Sequence, residues 1–132
     1  METRELSRKE TEALLSLPED HFNDLKSKRI APGKLQESFV AFANSDGGDL
    51  YIGIEDKKTG TDRINGFEDQ EEANALISIL LEETSPAVEN VFIEYLSVKE
   101  KGLVLHISVP KSPRVHYTVS SDCYIRVNAQ KR

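Results

Sequence analysis

The sequence predicts one α+β domain: a mixed or antiparallel sheet with helices packed on it. Three observations carry this. The chain is 132 residues with 38% hydrophobic residues, which fits a single core. Helical stripes and alternating strands interleave without repeats or a low-complexity linker. The run FVAFANSDGGDLYIGIED, Phe39 to Asp56, joins a helix end, a double-glycine turn and a strand in one unit.

Ser7-Arg8-Lys9-Glu10 reads as a capping box opening a short helix through Leu14 and Leu15, and Pro18 closes it. His21–Lys28 reads as a strand, with Phe22, Asp24 and Lys26 on one face and Asn23 and Leu25 on the other. Pro32-Gly33 turns the chain into a helix whose Leu35, Phe39, Phe42 and Ala43 share a face. Asn44, Ser45 and Asp46 compete for backbone hydrogen bonds and stop it. Gly47-Gly48 supplies the turn, and Leu50, Ile52 and Ile54 alternate along a strand Asp49–Glu55. A polar turn over Asp56–Asp62 and a short strand over Ile64–Phe67 follow. Asp69 caps a helix striped by Ala73, Leu76, Ile77, Leu80 and Leu81. Val91–Val98 and Leu103–Val109 read as strands around Lys101-Gly102. Val115–Val119 and Cys123–Val127 are expected to complete the sheet, with Cys123, Ile125 and Val127 on its core side.

Composition excludes several classes. No long apolar run can span a membrane, and the charged start METRELSRKE is no secretory signal. The single Cys123 forms no internal disulfide, so a reducing cytoplasm is the default location. A net charge of −6 argues against indiscriminate nucleic-acid binding. The charge is uneven, however. Glu68–Glu100 is acid-rich, with Lys99 its only basic residue. Basic residues collect at Lys26, Lys28, Arg29 and Lys34, at Lys57, Lys58 and Arg63, and at Lys111, Arg114, Arg126, Lys131 and Arg132. These are solvated loops, or loops that meet on one face.

Several residues could carry chemistry. Asp24 and Lys26 place a carboxylate and an ammonium on one strand face, suited to a phosphate and a water. Lys57 and Lys58 could bind phosphate, with exposed turn lysines the alternative. Tyr124 and Arg126 share a strand face, an aromatic with an arginine as single-stranded nucleic acid prefers, although a solvated sheet face would look the same. Gly47-Gly48 reads first as a helix end and turn rather than a phosphate cradle. No P-loop sequence occurs, and His21, His106 and His116 have no partners at metal-ligand spacing.

The run AFANSDGGDLYIGIED resembles the signature of the Schlafen AlbA-like (divergent AlbA) domain family. Glu19 fits that family's first acid. Asp24-Leu25-Lys26 fits its Glu-Phe-Lys strand end, with Asp in place of Glu, and Asp56 fits its closing acid. Tyr124-Ile125-Arg126 resembles its late Tyr-(Ile/Val)-Arg strand. The resemblance runs from about Leu17 to about Asn128, so residues 1–132 are expected to form one AlbA-like domain. It implies a nucleic-acid-binding domain, for RNA or DNA, in regulation or defence, with Lys26, Lys28, Arg29, Lys34, Lys57, Lys58, Tyr124 and Arg126 as contacts. The alternative it implies is a metal-dependent RNA endonuclease. Glu19, Asp24 and Asp56 would then bind Mg²⁺ or Mn²⁺, and Lys26 would join them as a catalytic residue that stabilises phosphate charge. Asp24, one methylene shorter than Glu, would reach less far. A protein-interaction domain using the acid-rich helix after Glu68 is the contrasting class. A homodimer, and further domains if the chain is a fragment, are compatible with the sequence.

Overall fold

The computed structural model describes residues 1–132. Its elements are β1 (Glu2–Glu5), α1 (Arg8–Leu15), β2 (Asn23–Lys26), α2 (Pro32–Ala43), β3 (Gly48–Ile52), α3 (Gln70–Glu82), β4 (Phe92–Val98), β5 (Gly102–Val109), β6 (Arg126–Val127) and β7 (Gln130–Lys131). Five strands form one sheet in the order β1-β4-β5-β3-β2. β5 runs antiparallel to β3 and β4, while β1 and β2 pair parallel to β4 and β3, so the sheet is mixed. The domain is α+β with a single sheet, as the sequence predicts.

The larger core lies between the sheet and helices α2 and α3. Leu35, Phe39 and Phe42 of α2 and Leu76, Ile77 and Leu80 of α3 meet Leu50, Ile52, Tyr95, Leu105 and Ile107. The opposite face carries a smaller core, where Leu14 of α1 joins Leu25, Leu96 and Val104. This division follows from strand alternation. Leu105 and Ile107 face the larger core, and Val104 and His106 face the other way.

The signature turn is fixed by close approach. Gly47 has φ +77°, and a Cβ there would stand 2.7 Å from the Val109 carbonyl oxygen. Gly48 lies directly against the Phe42 ring, so any side chain would displace it. Asn44 ends α2, but its side chain does not cap the helix. It accepts the His116 N–H and donates to the carbonyls of His116 and Tyr124, tying the C-terminal segment to α2.

Several expectations are corrected. The strand expected over His21–Lys28 is the edge strand Asn23–Lys26 only, because Asp20 accepts the N–H groups of Phe22 and Asn23 and makes a turn ahead of it. Ile64–Phe67 forms isolated bridges to Ile54 and Leu103 rather than a strand. The C-terminal segments do not complete the sheet. Val115–Val119 makes one bridge, Ser85 to Tyr117, and β6 and β7 form a separate two-stranded ribbon. Cys123 and Ile125 are exposed, and Arg126 between the expected core residues is the one that turns inward. β1 was not expected: ETRE has no apolar alternation and is a strand because β4 offers it an edge.

Candidate nucleic-acid interface

β2 and β3 are parallel, so their C-terminal ends lie at one end of the sheet. Lys26, Lys28 and Arg29 leave β2 there, α2 begins there with Lys34, and Asp56, Lys57 and Lys58 follow the tail of β3. The two tails are fastened together: Glu55 accepts from Ser27 Oγ at 2.6 Å and from Arg29 at 2.8 Å. The Ser27 hydroxyl, and then Arg29, hold the Glu55 carboxyl below the usual carboxylate range, against the opposing effect of burial. Two of the three basic collections therefore meet. From the third, Lys131 also reaches this end, with Nζ 3.1 Å from Glu37 and 3.4 Å from the Lys34 carbonyl oxygen. Lys111 follows β5 at the far end of the sheet, where it pairs with Asp46 at 3.8 Å, and Arg114 lies on the same loop.

The expected contacts differ in availability. Lys57 and Lys58 are exposed and make no ion pair, while Lys28 reaches Glu72 at 3.5 Å and Lys34 reaches Glu37 at 3.7 Å. Tyr124 is half-buried at the surface. Arg126 does not face solvent. It is 4% exposed and donates to Asp24 Oδ2 at 3.1 Å, to the Asp20 carbonyl at 2.8 and 3.2 Å and to the Asn23 carbonyl at 3.1 Å. Its guanidinium also lies 4.8 Å from the centre of the Phe42 ring. A carboxylate as buried as Asp24 requires a counter-charge, and Arg126 supplies it.

Asp24, 1% exposed, is the centre of this cluster. Lys26 Nζ stands 3.3 Å from its Oδ1. Glu19, at the surface near Asp24, has its carboxyl pushed up to about 7, by partial burial first, then by Asp24 and by the charge of Asp56, with Lys26 opposing. The structure thus puts Lys26 beside Asp24, with Glu19 near and Asp56 a more distant electrostatic neighbour. A divalent ion needs several hard oxygen donors converging on one point. The acids of this site do not form a group that could hold one, and Asp24 already has two cations beside it. As arranged, these residues do not fit a divalent metal.

Two residues of this site were not picked out from the sequence. Ser38 on α2 and Gln130 on β7 line a pocket of about 300 Å³ with Asp24, Lys26, Arg126 and Lys131. Ser38 sits among the apolar residues of a helix, and nothing in its spacing marks it.

No curated protein matches the chain. Among solved structures it is similar to the crystal structure of the DIP2311 protein from Corynebacterium diphtheriae, at 24% identity and a TM-score of 0.60. The match covers 85% of this chain and 22% of that one, so this chain spans under a quarter of its length and shares its fold. The family model described as Schlafen, AlbA_2 matches residues 19–132, from the first acid of the cluster to the C-terminal ribbon that delivers Arg126. No helix is long and apolar enough to cross a membrane. The chain therefore belongs to the Schlafen AlbA_2 family, whose domains are nucleic-acid-related.

Proposed function

We propose that the chain binds RNA or DNA at the end of the sheet where β2 and β3 finish. The observation that carries this reading is the gathering of Lys26, Lys34, Lys57, Lys58 and Lys131 around one end of a chain whose net charge is −6. Phosphates are attracted there while the acid-rich α3 region repels them, so binding has a defined place rather than the whole surface. Lys57 and Lys58, exposed and unpaired, need break no ion pair to meet a phosphate.

Titration of labelled single- and double-stranded RNA and DNA tests this. Binding should be measurable at low salt and weaken steeply as salt rises, because each phosphate contact releases counterions. Absence of binding to all four at low salt would refute the reading. Endonuclease action is the second reading; Asp24 beside Lys26 is the observation on its side, and a metal would have to displace the cations that now flank Asp24. Structured RNA incubated with Mg²⁺ or Mn²⁺, and with a chelator, separates the two readings. Cleavage lost in Asp24→Asn and Asp56→Asn proteins that still fold and bind would establish the second. Intact RNA under every condition would leave binding alone.

A further inference from the structure

The loop after β5 is anchored to the end of α2 at two points. The Ser112 N–H donates to the Ala43 carbonyl at 2.9 Å, and the His116 N–H donates to Asn44 Oδ1 at 2.7 Å. The two side chains meet. His116 Nε2 stands 2.6 Å from Ser112 Oγ, and His116 Nδ1 stands 2.6 Å from the Pro86 carbonyl oxygen. A carbonyl oxygen only accepts, so Nδ1 carries a proton. In the neutral ring Nε2 is then an acceptor, and the Ser112 hydroxyl donates to it. Ser112 Oγ in turn accepts the Arg114 N–H at 3.2 Å, which leaves its own proton directed at His116. A hydroxyl, an imidazole placed to take its proton and a third group that fixes the tautomer are the parts of an activated serine. His116 is 1% exposed, whereas Ser112 is partly exposed, and both line a pocket of about 190 Å³. Lys111 and Arg114 line it too, against one acid, Glu89.

We infer that Ser112 is a nucleophile for the acyl group of a small carboxylic ester, with His116 as its base. Ser112 Oγ bonds to the carbonyl carbon as its proton passes to His116 Nε2. The carbonyl oxygen becomes an oxyanion, which the positive charge of Lys111 and Arg114 on the pocket wall stabilises. The bond to the leaving oxygen then breaks, and that oxygen takes the proton from Nε2 and departs as an alcohol. A water repeats the sequence on the acyl-serine: His116 takes its proton, the carboxylic acid departs, and the proton returns to Ser112 Oγ. The Pro86 carbonyl holds the Nδ1 proton throughout, so Nε2 is the nitrogen that receives and returns protons. This pocket lies at the far end of the sheet from Lys57 and Lys58, and the inference does not depend on nucleic-acid binding.

The test treats the full chain with a fluorophosphonate probe, which traps activated serines, and maps the labelled peptide; para-nitrophenyl acetate then reports turnover by nitrophenolate release. The probe should attach to Ser112, and Ser112→Ala should remove both the label and the release above that of buffer. His116→Gln should slow both about a hundredfold or more in a protein shown by thermal melting to be folded. Ser112→Cys gives a second measurement that stands even where His116→Gln loses the fold. The thiol beside His116 should react with iodoacetamide about tenfold faster or more than Cys123, the exposed thiol of the same chain. No label on Ser112 in the unmodified chain would overturn the inference. So would an unchanged rate in folded His116→Gln, or a Ser112→Cys thiol that reacts no faster than Cys123.

Discussion

The two ionic clusters on the opposite faces of the sheet are built by the same rules and finished differently. On the α1 side, His106 of β5 lies between Asp49 of β3 and Glu94 of β4, with 2.7 Å from each ring nitrogen to a carboxylate oxygen. A protonated ring can donate to both carboxylates at once, which is why the pair raises the His106 pKa. Tyr51 stacks on it with ring centres 4.5 Å apart, and Arg4 of β1 bonds Glu94 at 3.4 Å and Glu10 of α1 at 2.9 Å. No polar atom of this cluster is buried without a partner. On the α2 side, Arg126 and Lys26 flank Asp24, yet Asp24 Oδ1 and nearby Ser38 Oγ are left without hydrogen bonds. A completed network braces strands against one another. An incomplete one leaves a buried carboxylate dependent on the cations beside it.

The largest effect expected from this contrast is at Arg126. Arg126→Met strands the buried Asp24 carboxylate and should lower unfolding stability by about 3–5 kcal/mol, read from the denaturant midpoint. A loss under 1 kcal/mol, roughly what a surface pair gives, would mean that Asp24 is not held by this pair. His106→Gln should cost less, about 1–3 kcal/mol, because the Asp49 side chain is 35% exposed and can turn to water. If His106→Gln proved the costlier of the two, the order of the two clusters in stability would be reversed.

pH sharpens the contrast further. Burial lowers the His106 pKa, but hydrogen bonds to Asp49 and Glu94 outweigh it, and the net shift is upward. A folded pKa above the unfolded value of about 6.5 means that protonation favours the folded state. That contribution is complete below the unfolded value and disappears as pH rises through the folded one. The midpoint of unfolding should therefore fall as pH rises above about 6.5 in the unmodified chain, and this component should be absent in His106→Gln. Identical pH profiles for the two proteins would remove the imidazolium from the account.

What could be read from the sequence was what is local. The stripe Leu35, Phe39, Phe42 and the alternation Leu50, Ile52 are set by short-range periodicity, and both place residues in the large core. Asp24 and Lys26, two apart on one strand face, stand 3.3 Å from each other. The partner of Asp24 was not legible, because Arg126 lies 102 positions away and reaches it through a ribbon with its own pairing. Alternation along Cys123–Val127 put the apolar residues inward, but the need of a buried carboxylate for a cation outweighed two modest apolar side chains. His106 gave no signal either. Its partners, 12 and 57 positions away, come together only when β3, β4 and β5 pair. Ser38 is hidden for a different reason: a small polar residue within a helical stripe looks the same whether or not its hydroxyl finds a partner.

The central claim is that nucleic acid is bound at one end of this sheet. It is tested most directly by comparing two charge reversals in one binding assay at low salt. Lys57→Glu with Lys58→Glu alters the end where β2 and β3 finish, and Lys111→Glu with Arg114→Glu makes the same change in net charge at the far end. The account predicts that the first pair removes most of the binding and flattens its dependence on salt, while the second leaves both close to those of the unmodified chain. Equal losses from the two pairs would show a response to net charge alone and contradict a localised interface.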